Sequence, residues 1–343
     1  MASVFRGSLT RIADLPEGAL DVRPRPRPSW RSGDYVVAEV LPYEGDAEGF
    51  ELTTGREIRP LPGSTLVGAL SRRFATLESV GSYEDVEEDG RMHSMTEAGC
   101  FGRVTSRSRF APPNMPLLYR GHVHVDGEPS NMTDWMPAPS GAPFRLPVVL
   151  IVGTSMSAGK TYAGRVAVRL LAEAGHEVVA AKLTGAGRWN DALTMGDAGA
   201  AHVFDFVDAG LPTTVCPADE YRTAIAGLLE RMQATGATAA VIEAGASPLE
   251  PYNGGTLAQM LDDRIVLTVL CATDPYAVAG IREAWDRDFD LVAGPTANTE
   301  AGVQLVERLT SLPALDLMDE ASHPAFLGLM ERALERHEDP RPD

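Results

Sequence analysis

Residues 153–161 read GTSMSAGKT, between the apolar run LPVVLIV and TYAGRVAVRLLAEAG, where Tyr162, Val166, Ala167, Leu170, Leu171 and Ala174 recur at helical spacing. An unbroken apolar run is what a parallel strand buried on both faces shows. Gly175 stands where a helix C-cap glycine belongs. The stretch therefore predicts strand, glycine loop and helix. A helix N-terminus gathers unpaired backbone N–H groups and a partial positive charge, so a polyphosphate can settle on it. The expected nucleotide-binding residues are Gly153, Thr154, Ser155, Met156, Ser157, Ala158, Gly159, Lys160, Thr161 and Tyr162. Lys160 is expected on the outer phosphate oxygens and Thr161 on Mg²⁺. Five residues separate the two glycines, one more than the usual phosphate loop has.

Working outward, MPAPSGAP at 136–143 divides two textures. Before it, DYVVAEVL, FELTTGREI, STLVGAL and GHVHVDG read as short strands between turns. YEDVEEDGR reads as a solvated loop, and RPRPRPSW at 23–30 as an extended arm stiffened by proline. After it, strand candidates at 147–152, 178–183, 213–216, 238–242, 265–271 and 289–293, with ALDL at 314–317, alternate with helical stretches. Such alternation predicts a mainly parallel sheet covered on both faces. The expected organisation is a β-rich N-terminal domain over 1–135, a linker over 136–144 and a nucleotide-binding domain over 145–343.

Ligands of such sheets gather at the carboxyl ends of the strands. In AAKLTGAGRWNDALTMGDAG, Lys182 and Thr184 stand at a strand end, with Asp191 and Asp197 beyond. In AAVIEAGASPLEPYNGG, Glu243 ends an apolar strand. An acid there is costly to bury unless paired, and a nucleotide's Mg²⁺ pairs it, since that ion takes one or two carboxylates plus phosphates and water. Lys182 reads either as a solvated end residue or as a second catalytic cation beside Lys160. Thr184, Tyr252 and Asn253 are expected to contact substrate.

These residues resemble the dethiobiotin synthetase branch of the P-loop proteins, with the cobyrinic acid amide synthetases and MinD/ParA ATPases as wider relatives. That branch has the longer GT…GKT loop, a lysine after the second strand, matched by Lys182, and an acidic strand end followed by small residues, matched at Glu243. The resemblance implies a second acidic Mg²⁺ ligand, for which the local wording NDAL points to Asp191 and the spacing of GDAG to Asp197. It also implies an adenine-reading asparagine, matched by Asn298 in VAGPTANT. The expected fold class is then α/β, a mainly parallel, doubly wound P-loop NTPase sheet preceded by a smaller β-rich N-terminal domain.

The implied cofactors are ATP and Mg²⁺. The implied activity is a ligase-type activation of a small-molecule carboxylate or carbamate by phosphoryl transfer. Three alternatives share the residues: a small-molecule kinase, a MinD/ParA-like switch and an acyltransferase that holds a coenzyme's phosphates. Switch proteins of that kind carry a further lysine early in the loop, where this chain has Thr154 and Ser155. The N-terminal domain matches no family, and dethiobiotin synthetases lack such a domain.

Composition bounds the rest. With 343 residues, 44% of them hydrophobic, the chain can build about two globular domains. The formal charge of −18 disfavours nucleic acid as a partner. Three separated cysteines fit a reducing cytoplasm, and neither a signal core nor a membrane span is expected. The expected partners are a small-molecule substrate and a second copy in a homodimer. His122 and His124 read as exposed, inert strand residues. Arg72 and Arg73 read as an anion clamp or, more simply, a surface pair.

Overall fold

Every residue of Val148–Gly153 is buried, as an apolar run without alternation requires of a central parallel strand. The structure, a computed structural model, describes residues 4–16, 18–43, 45, 48–285 and 287–338. Two compact units emerge. One comprises the chain up to Ala138 with Ala186–Asn190 and Phe206–Cys216; the other comprises Pro139–Gly185, Asp191–Asp205 and the chain from Pro217 onward.

The second unit is α/β. Among the described residues its sheet runs His202–Asp205, Val178–Thr184, Ala239–Ala244, Val148–Gly153, Ile265–Cys271 and Leu291–Ala293, with every pairing parallel. Parallel neighbours need crossovers. The helices in chain order are α1 (Lys160–Glu173), α2 (Trp189–Asp197), α3 (Ala218–Gln233), α4 (Gly254–Met260), α5 (Pro275–Ala284), α6 (Glu300–Thr310) and α7 (His323–Glu338). Val149, Ile151, Val178, Ala180, Val241 and Val269 form one core with Val166, Ala167, Leu170 and Leu171 of α1 and Phe326 and Met330 of α7. The alternate residues Leu150, Ala181 and Ile242 are buried too, and Tyr221 of α3 donates to Leu183 O at 3.0 Å. Both faces are thus covered. Of the expected α1 face, Tyr162 and Ala174 are exposed, because they lie at the helix's two ends.

One expected strand is wrong. Residues 213–216 carry β-branched side chains but form no strand; Thr213 makes an isolated bridge to Ala186, and both belong to the first unit. The sheet's edge is His202–Asp205 instead, a four-residue strand too short and too half-exposed to stand out in the sequence.

The first unit is β-rich. Thr65–Leu70 pairs with Tyr35–Val40, that strand with Met115–Val125, then Arg91–Ser94 and then Cys100–Arg107, which pairs back in parallel with Thr65–Leu70. The circuit closes as a small barrel. Closure needs a residue without Cβ at Gly68, where that atom would stand 2.3 Å from Gly99 O. Val36, Ala38, Leu66, Leu70, Met92, Phe101, Met115 and Leu117 share its core. The charge run 83–91 is mostly exposed, although Tyr83 and Val86 are buried. The proline-rich arm begins as an edge strand, Asp21–Arg23, paired with Met115–Val125, and ends on a buried Trp30.

His122 and His124 are not exposed, contrary to expectation, because that edge strand covers them. His122 Nε2 lies 3.3 Å from Asp34 Oδ2, and both side chains are fully buried. Asp34 also accepts from Asn131 Nδ2 at 2.9 Å and Arg31 N at 2.8 Å. Burial alone raises the Asp34 pKa, but His122, Asn131 and the Arg31 N–H outweigh it and hold it below the ordinary carboxyl value. Stability from this site is therefore present above the unfolded carboxyl's pKa and lost as pH falls through the folded one. Asp34→Asn is expected to cost about 3 kcal/mol near neutrality and to flatten the acid limb of the stability curve. Urea unfolding at a series of pH values measures both, and an unchanged acid limb would contradict the assignment.

Candidate functional site

The loop after Val148–Gly153 is shaped by contacts that only certain residues permit. A Cβ on Gly153 would stand 2.8 Å from Lys160 Cδ, so the lysine stem lies directly over that glycine. Ser157 adopts φ 59° and Gly159 φ 92°, which turns the chain into α1. Thr154 N donates to Cys271 O at 3.0 Å, tying the loop to the neighbouring strand. A Cβ on Gly294 would meet Ala158 O at 2.3 Å, so a second loop presses on the first. Lys160 Nζ donates to Ser155 O at 2.6 Å, while Thr154 Oγ1 and Ser155 Oγ are buried without hydrogen-bond partners.

Charged groups converge beside the loop. Glu243 is 2% exposed and its Oε2 has no partner. In the sheet register Lys182 stands opposite both Glu243 and Asp205, and its Nζ donates to Asp191 in the first turn of α2. Burial opposes the charge of Lys182, but Asp191 and Glu243 outweigh it and hold its pKa above the ordinary lysine value. Burial pushes the Lys160 pKa down against the pull of Glu243, and pushes the Glu243 pKa up against Lys182. The neighbouring Thr161 hydroxyl also pulls the Glu243 pKa down, less than the lysines do. The thiol of Cys271, next to Lys160, is driven up to about 12 by burial.

Lys160, Thr161, Lys182, Asp191 and Glu243 are thus brought together. Asp197 is not; it is exposed at the far end of α2. Thr184 Oγ1 donates to Gly245 O at 2.9 Å. Tyr252 is fully buried, and Asn253, at φ 62°, precedes α4. Met156, Ser157 and Tyr162 are at least partly open to solvent. Asn298 is exposed, and its amide can donate to Gly294 O at 3.0 Å and Asp316 Oδ1 at 3.2 Å. Among the described residues no group of three or more His, Cys, Asp or Glu is placed to hold a metal.

Sequence reasoning missed Asp205, which is buried beside Lys182, because its strand was not recognised. It also missed Gly294 and Asp316. The signal for Gly294 was its place directly after an apolar strand, where a glycine lets another backbone approach.

Strand, glycine loop and helix, with an acid at the tip of the adjacent strand, define the class: an α/β P-loop fold. No family model matches the chain, and neither does any curated protein. Among solved structures, chloroplast FtsY from Physcomitrella patens is 14% identical with TM-score 0.38, over 58% of this chain and 70% of that one. HypB from Helicobacter pylori, solved in complex with nickel, is 16% identical with TM-score 0.38, over 58% and 92%. A DUF1611 family protein from Anabaena variabilis is 15% identical with TM-score 0.34, over 56% and 58%. Likeness this remote assigns no activity.

The packing of the two loops yields a paired expectation. Gly294→Ala places a Cβ against backbone at φ 86° and should destabilise by about 1–3 kcal/mol. Gly280→Ala, in α5 with nothing within 4 Å of its Cβ, should stabilise by about 0.5–1 kcal/mol. Chemical denaturation of the two variants decides, and shifts of the same sign would contradict the described loop.

Proposed function

We propose that the second unit binds a nucleoside triphosphate with Mg²⁺ and activates a small-molecule carboxylate or carbamate by phosphoryl transfer. The observation that carries this reading is Glu243, a buried carboxylate with one oxygen unpartnered, between the Thr161 hydroxyl and two buried lysines. Such a group is costly to keep unless a cation completes it. The donor set suits Mg²⁺, which takes one or two carboxylates and draws its other ligands from phosphate and water. Glu243, Thr161 and Asp191 would hold the ion.

The remaining residues fit the phosphates. Backbone N–H groups at the start of α1 face the chain's anion-binding end. Gly153 leaves room for the Lys160 stem, and Lys160 exchanges its bond to Ser155 O for a phosphate oxygen. Bound nucleotide and Mg²⁺ supply the transferable phosphoryl group. Lys182, fixed by Asp191, neutralises charge that develops on it, and such preorganised charge is the main help this chemistry needs. Asn298 and Asp316 stand beyond the second loop as candidates for reading the base, whether of ATP or GTP. Thr184, Tyr252 and Asn253 remain proposed for the substrate side, and a homodimer for the assembly.

Glu243→Gln keeps the shape and removes the charge. It should lower Mg²⁺-dependent turnover by at least about a hundredfold while sparing nucleotide binding measured in EDTA. Equal loss in both assays would make Glu243 structural.

The ligase reading has its own test. Transfer to a carboxylate and capture by a nucleophile moves one acid oxygen onto the released phosphate. With ¹⁸O-labelled acid, phosphate carrying one labelled atom is expected. Label-free phosphate drawn from water points to a switch, and a stable phosphorylated product to a kinase; either overturns the ligase reading.

A further inference from the structure

The first unit contains a buried carboxylate that serves the start of α2. Glu51, in the strand Phe50–Glu51, is 2% exposed. Its Oε2 accepts from Trp189 N at 2.8 Å and from the Ser8 hydroxyl, and its Oε1 accepts from Asn190 N at 2.7 Å. Those are the first two N–H groups of α2, for which a helix has no partner of its own. The residues just before it, GAGR at 185–188, include no Ser, Thr, Asp or Asn to cap it. A carboxylate 138 positions away supplies the cap instead, and its charge suits the positive end of the helix.

The same stretch is held in two further ways. A Cβ on Gly187 would stand 2.8 Å from Leu9 Cδ2 and 3.3 Å from Ala98 Cβ, and the Arg11 guanidinium lies 4.0 Å from the centre of the Trp189 ring. Residues 186–190 belong to the first unit, while Asp191, the next residue along the chain, belongs to the second. Asp191 is the third residue of α2 and accepts from Lys182 Nζ. Helix geometry is regular, so holding the first two residues sets where the third projects.

We propose that Glu51 is a positioning residue for the phosphoryl-transfer site: by capping α2 it holds Asp191 on Lys182 and so fixes the Lys182 ammonium. Its effect on turnover rests on the nucleotide reading; the cap and its hold on Lys182 do not.

Amide hydrogen exchange on the unaltered, nucleotide-free protein reads the cap. Trp189 and Asn190 should exchange as slowly as the interior of α2, and fast exchange at both would overturn the proposal. Lys160 and Lys182 are the chain's two lysines, so ¹⁵Nζ labelling gives NMR signals from these two side chains, with Lys160 as the internal control. In Glu51→Ala the Lys182 ammonium hydrogens should exchange with water at least about tenfold faster, the worth of one charge-assisted hydrogen bond, while those of Lys160 keep their rate. Where that variant does not fold, Glu51→Gln, which retains one acceptor, should show a smaller acceleration, again confined to Lys182. An unmoved Lys182, or equal acceleration at both lysines, contradicts positioning. Turnover should fall about 10–100-fold in Glu51→Ala with nucleotide affinity kept, and the substitution should add nothing in a Lys182→Ala background. Fully additive losses would overturn the route through Lys182. Turnover indifferent to both substitutions, with the exchange results as expected, would overturn the nucleotide reading and leave the hold of Glu51 on Lys182 in place.

Discussion

Lys182 is the constraint around which the second unit's site is arranged. It sits in a strand with neighbours on both sides, buried, where an unpaired ammonium is very costly. Glu243 stands beside it in the register, and Asp191 reaches it from the first turn of α2. Asp205 faces it from the other neighbouring strand, so its charge is shared among three acids. The cluster also reaches the glycine loop: Lys160 and Thr161, at the start of α1, both lower the Glu243 pKa.

The loop obeys a steric rule as much as an electrostatic one. Gly153 admits the Lys160 stem, Gly159 takes a left-handed conformation, and Gly294 admits the Ala158 carbonyl. A side chain at any of them meets another group or a strained backbone. Glycine at these places is thus a condition for bringing two loops and a lysine to one point, and that point is the end of the sheet where parallel α/β folds bind their ligands.

What the sequence revealed follows from the range of the interactions involved. The loop, its flanking strand and helix, and Glu243 at a strand tip were legible because each is announced by residues close by. Asp205 was not, since a four-residue edge strand in which only Asp205 itself is buried carries little apolar pattern, and the threonines at 213–214 imitated the missing strand. Asp191 and Asp197 look alike in sequence; about 9 Å of helix between them decides which meets Lys182. The burial of His122 and Arg73 was beyond local reading. It arises from Asp21–Arg23 lying along a distant strand and from a barrel circuit that closes through Gly68.

The central claim is that the loop and its lysines are a nucleotide-phosphate site, and calorimetric titration with Mg²⁺–ATP and Mg²⁺–GTP tests it most directly. The protein should bind at least one of them. Lys160→Ala should lose that binding by at least about a hundredfold, as expected for a charge-assisted contact of about 3 kcal/mol, while still unfolding in one cooperative transition. Unaltered affinity in Lys160→Ala, or no binding of either nucleotide to the unaltered protein, would contradict the account.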